Sequence, residues 1–97
     1  MEASALRDAL AELARECGLS VRVLRGDGAD SALAPASGLA VVRGTPWVVL
    51  VASDPLGAQI ETLAAGLARF AGTQLDARYL PPAVREALDR AVGARQR

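Results

Sequence analysis

Histidine, lysine and asparagine are absent from this chain, and cysteine occurs once. Without histidine there is no imidazole general base, no Ser-His or Cys-His nucleophile and no ordinary zinc site. Without lysine there is no Schiff base and no phosphate-loop ammonium. A single Cys17 leaves no internal disulfide, which suits a reducing cytoplasm. Charge of either sign is not in excess, since eleven arginines face eleven acidic residues, so bulk electrostatics call for neither nucleic acid nor an anionic membrane. Aromatic side chains make up only 3% of the chain: Trp47, Phe70 and Tyr79. The longest apolar run falls far short of a membrane span. Met1-Glu2-Ala3-Ser4 offers no basic region ahead of an apolar one, so no signal peptide is expected.

What remains is apolar and compact in character. Hydrophobic residues make up 52% of 97 positions and charged residues 23%, a balance for one globular domain over residues 1–97. Much of the apolar share is alanine, which lets helices approach closely but buries little area per residue. Arginine and alanine standing in for lysine and asparagine point to a GC-rich bacterial genome.

The best-specified stretch runs from Ser37 to Gly72. Leu39–Arg43 is a β-type run, Gly44-Thr45-Pro46 breaks it, and Trp47–Ala52 is apolar at every position. An unbroken run of that kind predicts a strand buried on both faces. Pro46 cannot donate to a ladder and must stand at the strand's mouth. Ser53-Asp54-Pro55 supplies a stop and a start together, with Asp54 the preferred cap for the next helix. Leu56, Ile60, Leu63, Leu67 and Phe70 then recur at steps of four and three as one helical stripe, and Gly72 is expected to end it.

The flanks follow the same rules. Glu2–Cys17 reads as a helix with Leu6, Leu10, Leu13 and Cys17 on one face, closed by Gly18 with Leu19 folding back over it. Cys17 at the end of that stripe is either a small core residue or a reactive thiol. Ser20–Arg25 alternates as an edge strand, with Arg22 outward to discourage pairing. Gly26-Asp27-Gly28-Ala29-Asp30-Ser31 has a calcium-loop look, yet lacks the sixth-position glycine and the distant glutamate. Residues 26–37 are therefore expected to be a mobile loop. Thr73–Tyr79 reads as a loop or a short extended piece. Pro82 opens a third helix with Val84, Leu88 and Val92 at four-residue steps, and 95–97 form a frayed basic tail.

The predicted fold is α+β: a small three-stranded sheet packed on helices, in the order α-β-β-β-α-α, with a hairpin between the second and third strands. Strand order does not follow from the residues.

Gly38-Leu39-Ala40-Val41-Val42-Arg43-Gly44 leading into Trp47–Val51, together with Tyr79-Leu80-Pro81-Pro82-Ala83-Val84-Arg85-Glu86-Ala87-Leu88, resembles a set of short uncharacterised bacterial α+β proteins. The likeness spans about the last two-thirds of the chain and implies no activity. The element order is also similar to the minimal core of zinc-dependent peptidases of the type attached to phage repressors. There, the helix after the strands carries two histidines and a glutamate. Gln59-Ile60-Glu61-Thr62-Leu63-Ala64-Ala65 keeps Glu61 and has no histidine, so that resemblance implies a catalytically dead zincin-type relative.

The functional expectation is a non-catalytic protein–protein interaction or scaffolding module of the bacterial cytoplasm. It would bind another protein or itself as a homodimer, with no cofactor, metal, nucleic acid, membrane or small-molecule ligand. Trp47, Tyr79 and Arg85 are the residue types that anchor interfaces. A small chaperone for a secreted or toxic partner is the alternative. An enzyme would have to work with carboxylates and arginines alone, Glu61 with Asp54 or Glu86 with Arg85. A core position for the helical stripe predicts that Leu63→Ala costs roughly 2–5 kcal/mol in urea unfolding, and a loss below about 0.5 kcal/mol removes that assignment.

Overall fold

A computed structural model of the protein describes residues 2–24 and 37–95. The calcium-like loop, and the expected mobile loop apart from Ser37, lie outside the described residues, as do positions 96 and 97 of the tail. The elements are α1 (Ala3–Glu16), β1 (Ser20–Leu24), β2 (Gly38–Val42), β3 (Thr45–Val51), α2 (Leu56–Asp76) and α3 (Pro82–Arg95). This is the expected α+β order, three strands on three helices.

The first helix ends as its glycine requires. Gly18 sits at φ +90°, its N–H donates to Arg15 O at 3.1 Å, and Leu19 N–H reaches back to Ala14 O at 2.9 Å. That pair of bonds is a Schellman closure, and Leu19 is buried beneath it. The second turn that needs positive φ is Arg43-Gly44, at +52° and +81°. Positive φ at both central residues defines a type I′ hairpin, whose twist matches that of the flanking strands. It fixes the antiparallel register of β2 on β3, with Val42 opposite Thr45, Ala40 opposite Trp47 and Gly38 opposite Val49.

Strand order is β1-β3-β2, with β1 parallel to β3. The ladder continues past the strand ends, where Ala52 N–H donates to Leu24 O at 2.7 Å. Pro46 lies one residue beyond the start of pairing with β1, which opens at Ser20 opposite Trp47, so its missing N–H costs no bond. All the helices lie on one face. Val48 and Leu50 point into the core with Leu10, Leu13, Leu63, Leu67 and Leu75, and Val21 and Leu39 pack at its margin. Trp47 and Val49, alternating with them, point the other way and are only half-buried. The expected double-sided burial of β3 therefore holds in part: on the outer face Val51 is buried at 2% exposure, whereas Trp47 and Val49 are half-buried.

Two further corrections concern α2. Asp54 does not cap it: the N-cap is Pro55, without a side-chain bond, because the Asp54 carboxylate turns back towards Ser37. Nor does Gly72 end it. The helix bends at Ala71 (φ −134°, ψ 16°) and runs on to Asp76. Burial of Leu75, four residues beyond Ala71, extends the apolar stripe and holds Thr73–Asp76 helical where a loop was expected. α3 then packs on α2 and α1 and touches no strand. Its first-turn connection is tied to α1 by Arg78 Nη2 donating to Glu16 Oε1 at 2.9 Å. That hydrogen bond raises the guanidinium pKa above its ordinary value.

α2 meets the sheet at Gly66. A Cβ there would stand 2.8 Å from Val48 Cγ2 and 3.0 Å from Leu39 Cδ2. Val48 is β-branched and buried, so it has little freedom to yield. Overpacking of about 1–3 kcal/mol then exceeds the roughly 1 kcal/mol that alanine gains over glycine in a helix. Gly66→Ala is expected to lower stability, whereas Gly93→Ala, with open space at its Cβ, raises it by about 0.5–1 kcal/mol. Urea midpoints of the two variants moving in the same direction would contradict this packing.

Candidate interaction surface

The open face of the sheet is built by alternation. With Val48 and Leu50 turned to the helices, Trp47, Val49 and Val51 of β3 share the outer face with Ser20, Arg22 and Leu24 of β1 and with Gly38, Ala40 and Val42 of β2. Leu24 and Val42 are among the exposed large hydrophobic residues, Ala40 is exposed, and Trp47 and Val49 are half-buried. The Arg22 guanidinium lies 4.8 Å from the centre of the Trp47 ring. An exposed cation–π contact of this kind is worth about 0.5–1 kcal/mol. Arg22 was legible only as an edge guard. Its partnership with Trp47 follows from the parallel pairing of β1 and β3, which no local signal announces.

Trp47, Tyr79 and Arg85 do not converge. Tyr79 lies in the α2–α3 connection and is 85% exposed, while its neighbour Leu80 is buried and anchors that connection. Arg85 is half-buried on α3. Both belong to the helical layer, on the far side of the sheet from the Trp47 ring. The carboxylate pairings considered for catalysis do not form either. Glu61 is exposed on α2, Asp54 is bound to Ser37, and Glu86 pairs with Arg90 at 3.1 Å rather than with Arg85.

A polar junction that sequence reading missed closes the end of the sheet. The Ser37 hydroxyl accepts Val51 N–H at 3.0 Å and donates to Asp54 Oδ2 at 2.7 Å, and Ser37 N–H also donates to that oxygen, at 3.2 Å. Beside it, Gln59 is 4% exposed. Its Nε2 donates to Asp54 O at 2.9 Å and Val51 O at 3.4 Å, and its Oε1 accepts from Arg7 Nη1 at 3.4 Å. Gln59 thus joins α1, β3 and α2 at one point. It forms part of the lining of a cleft of about 350 Å³ between α1 and the β1–β3 pair, walled by Val21, Val23 and Leu50. The charges around that cleft cancel: Arg7 holds Asp8 at 3.0 Å and Arg15 lies 3.7 Å from Glu12. A second groove of about 300 Å³ runs between α2 and α3, floored by alanines. Among the described residues no three His, Cys, Asp or Glu side chains gather as a metal site would need. Cys17 is a free thiol, half-buried against the core.

No family model, curated protein or solved structure matches this chain. No described helix is long and apolar enough to cross a membrane.

The junction generates a stability prediction. Ser37→Ala removes the acceptor of the Val51 amide and one donor to Asp54, so it is expected to cost about 1–3 kcal/mol. A double-mutant cycle with Asp54→Ala should give a coupling above about 0.5 kcal/mol. Strict additivity in thermal or urea unfolding would mean that the two side chains act independently.

Proposed function

We propose that this protein is a non-catalytic binding module that associates through its sheet, on the side that carries the Trp47 face, with itself as first partner. The observation that carries this reading is the outer face itself. Trp47, Val49, Leu24, Val42 and Ala40 form an apolar surface on that face, with the Arg22 guanidinium over the Trp47 ring and the buried Val51 at one end. Exposed apolar surface of this kind marks association sites. Tryptophan and arginine are the side chains that most often dominate their energetics. The lack of histidine and lysine and the charge-balanced cleft favour binding over catalysis. The free thiol and the arginine-rich composition favour a bacterial cytoplasm as its setting. Tyr79 and Arg85 then belong to a separate face, free for a second contact of a scaffolding kind.

Light scattering through a wide dilution series tests this directly. The expected result is a mass above 10.0 kDa that falls on dilution, with Trp47 emission shifting to the red as its ring is uncovered. Trp47→Ala is expected to move the dissociation midpoint upward by roughly tenfold or more, the size of an aromatic anchor. A 10.0 kDa species at every concentration would rule out self-association.

A further inference from the structure

We propose that two copies of this chain join edge to edge through β2, antiparallel about a two-fold axis at Ala40, to make one continuous six-stranded sheet. The inference rests on the self-association reading above and sets the contact between copies at the sheet edge, beside the Trp47 face rather than over it.

Among the described residues the sheet leaves β2 at one edge, since the order is β1-β3-β2. The two-residue turn at Arg43-Gly44 makes Val42–Thr45 the hydrogen-bonded closing pair. Pairs then alternate along the ladder, so the backbone groups of Val42, Ala40 and Gly38 face β3 and those of Leu39 and Val41 face outward. Pro46 agrees with this phase, for it stands opposite Val41 in a pair that needs no N–H from it. An antiparallel second copy centred on Ala40 sets Leu39 opposite Val41 of the second copy, and Val41 opposite its Leu39. Every outward amide and carbonyl of the strand finds a partner in that register. Ala40 meets its own copy in the closer, non-hydrogen-bonded pair, about 4.5 Å between Cα atoms, where a small side chain fits.

Side-chain chemistry selects this edge over the other. Gly38-Leu39-Ala40-Val41-Val42 carries no charge and no proline, the devices by which edges are normally blunted. Val41 is 59% exposed, on the face shared with Leu39, and gains an apolar neighbour across the seam. β1, by contrast, has Arg22 at its centre, and pairing with itself would oppose two guanidinium groups. The ends of the β2 seam are charge-complementary. Arg43, exposed and in no ion pair among the described residues, comes opposite Ser37 of the second copy, the residue whose amide and hydroxyl hold Asp54. A two-fold axis repeats that match at both ends. Trp47, beside Ala40 on the outer face, then flanks the axis from each copy and the apolar face becomes continuous.

The test is charge complementation at the axis. Ala40→Glu and Ala40→Arg each place like charges opposite one another in the homodimer, so each alone is expected to weaken association by roughly tenfold or more. An equimolar mixture is expected to recover a heterodimer in sedimentation velocity. Val41→Pro removes an outward N–H without breaking a bond to β3 and is expected to abolish pairing with circular dichroism unchanged. If Val41→Pro fails to fold, the Ala40 variants at an exposed position still decide the matter. Two monomeric single variants whose mixture stays monomeric would overturn the two-fold register. A dimer that survives both Ala40→Glu and Val41→Pro would overturn the β2 seam alone and leave self-association through another surface standing. A wild-type monomer at every concentration would overturn the seam and the self-association reading together.

Discussion

The fold depends on one close approach, the α2 backbone lying against Val48 and Leu39 at Gly66. Interiors are packed so tightly that a methyl group at such a point has nowhere to go. Because α2 lies this low on the sheet, Leu63 and Leu67 reach the core fully, and α1 can cross beside it over β1. α3 is a third tier, resting on the other two helices and never on a strand. The helical layer is thus organised around a single long helix whose height above the sheet is set by the absence of a side chain. The opposite face carries no such constraint among the described residues, and the apolar surface around Trp47 is the result.

The element order and the hairpin were legible in the residues because they rest on local causes. Gly18 and Gly44 occupy positive-φ positions that few other residues accept, and the leucine spacing of α1 and α2 is a backbone period. What escaped reading depends on distant partners. Asp54 before Pro55 has the form of a local helix cap, yet its carboxylate binds a serine seventeen residues earlier, a stronger arrangement because it also satisfies the buried Val51 amide. Gln59 has no local signal of its role, and it became a junction only once α1 brought Arg7 to it across fifty-two positions. Gly72 carried the signature of a helix end, but the burial available to Leu75 outweighed it. The bend moved to Ala71 instead.

The same division separates the interaction residues. Trp47, Tyr79 and Arg85 were singled out by residue type alone, and type cannot say which face a residue joins. Parity along the strand does so for Trp47, once the I′ turn has fixed the register. The order of strands then decides that Arg22, rather than an aromatic or a helix, lies on its ring. Neither fact has a local signature, since a parallel partner announces itself nowhere in the sequence between the two strands.

The hairpin turn carries a chemical consequence as well. Asparagine-glycine is the sequence most often found in a turn of this shape, and this chain has no asparagine at all. Arginine at φ +52° is held in a conformation that costs an L-residue roughly 1 kcal/mol. In return, position 43 has no side-chain amide for the following backbone nitrogen to attack. The succinimide formation that slowly ages asparagine-glycine turns, inserting an extra backbone carbon and shifting the strands, has no starting point here. The hairpin that sets the register of the sheet is thereby protected from this form of molecular ageing.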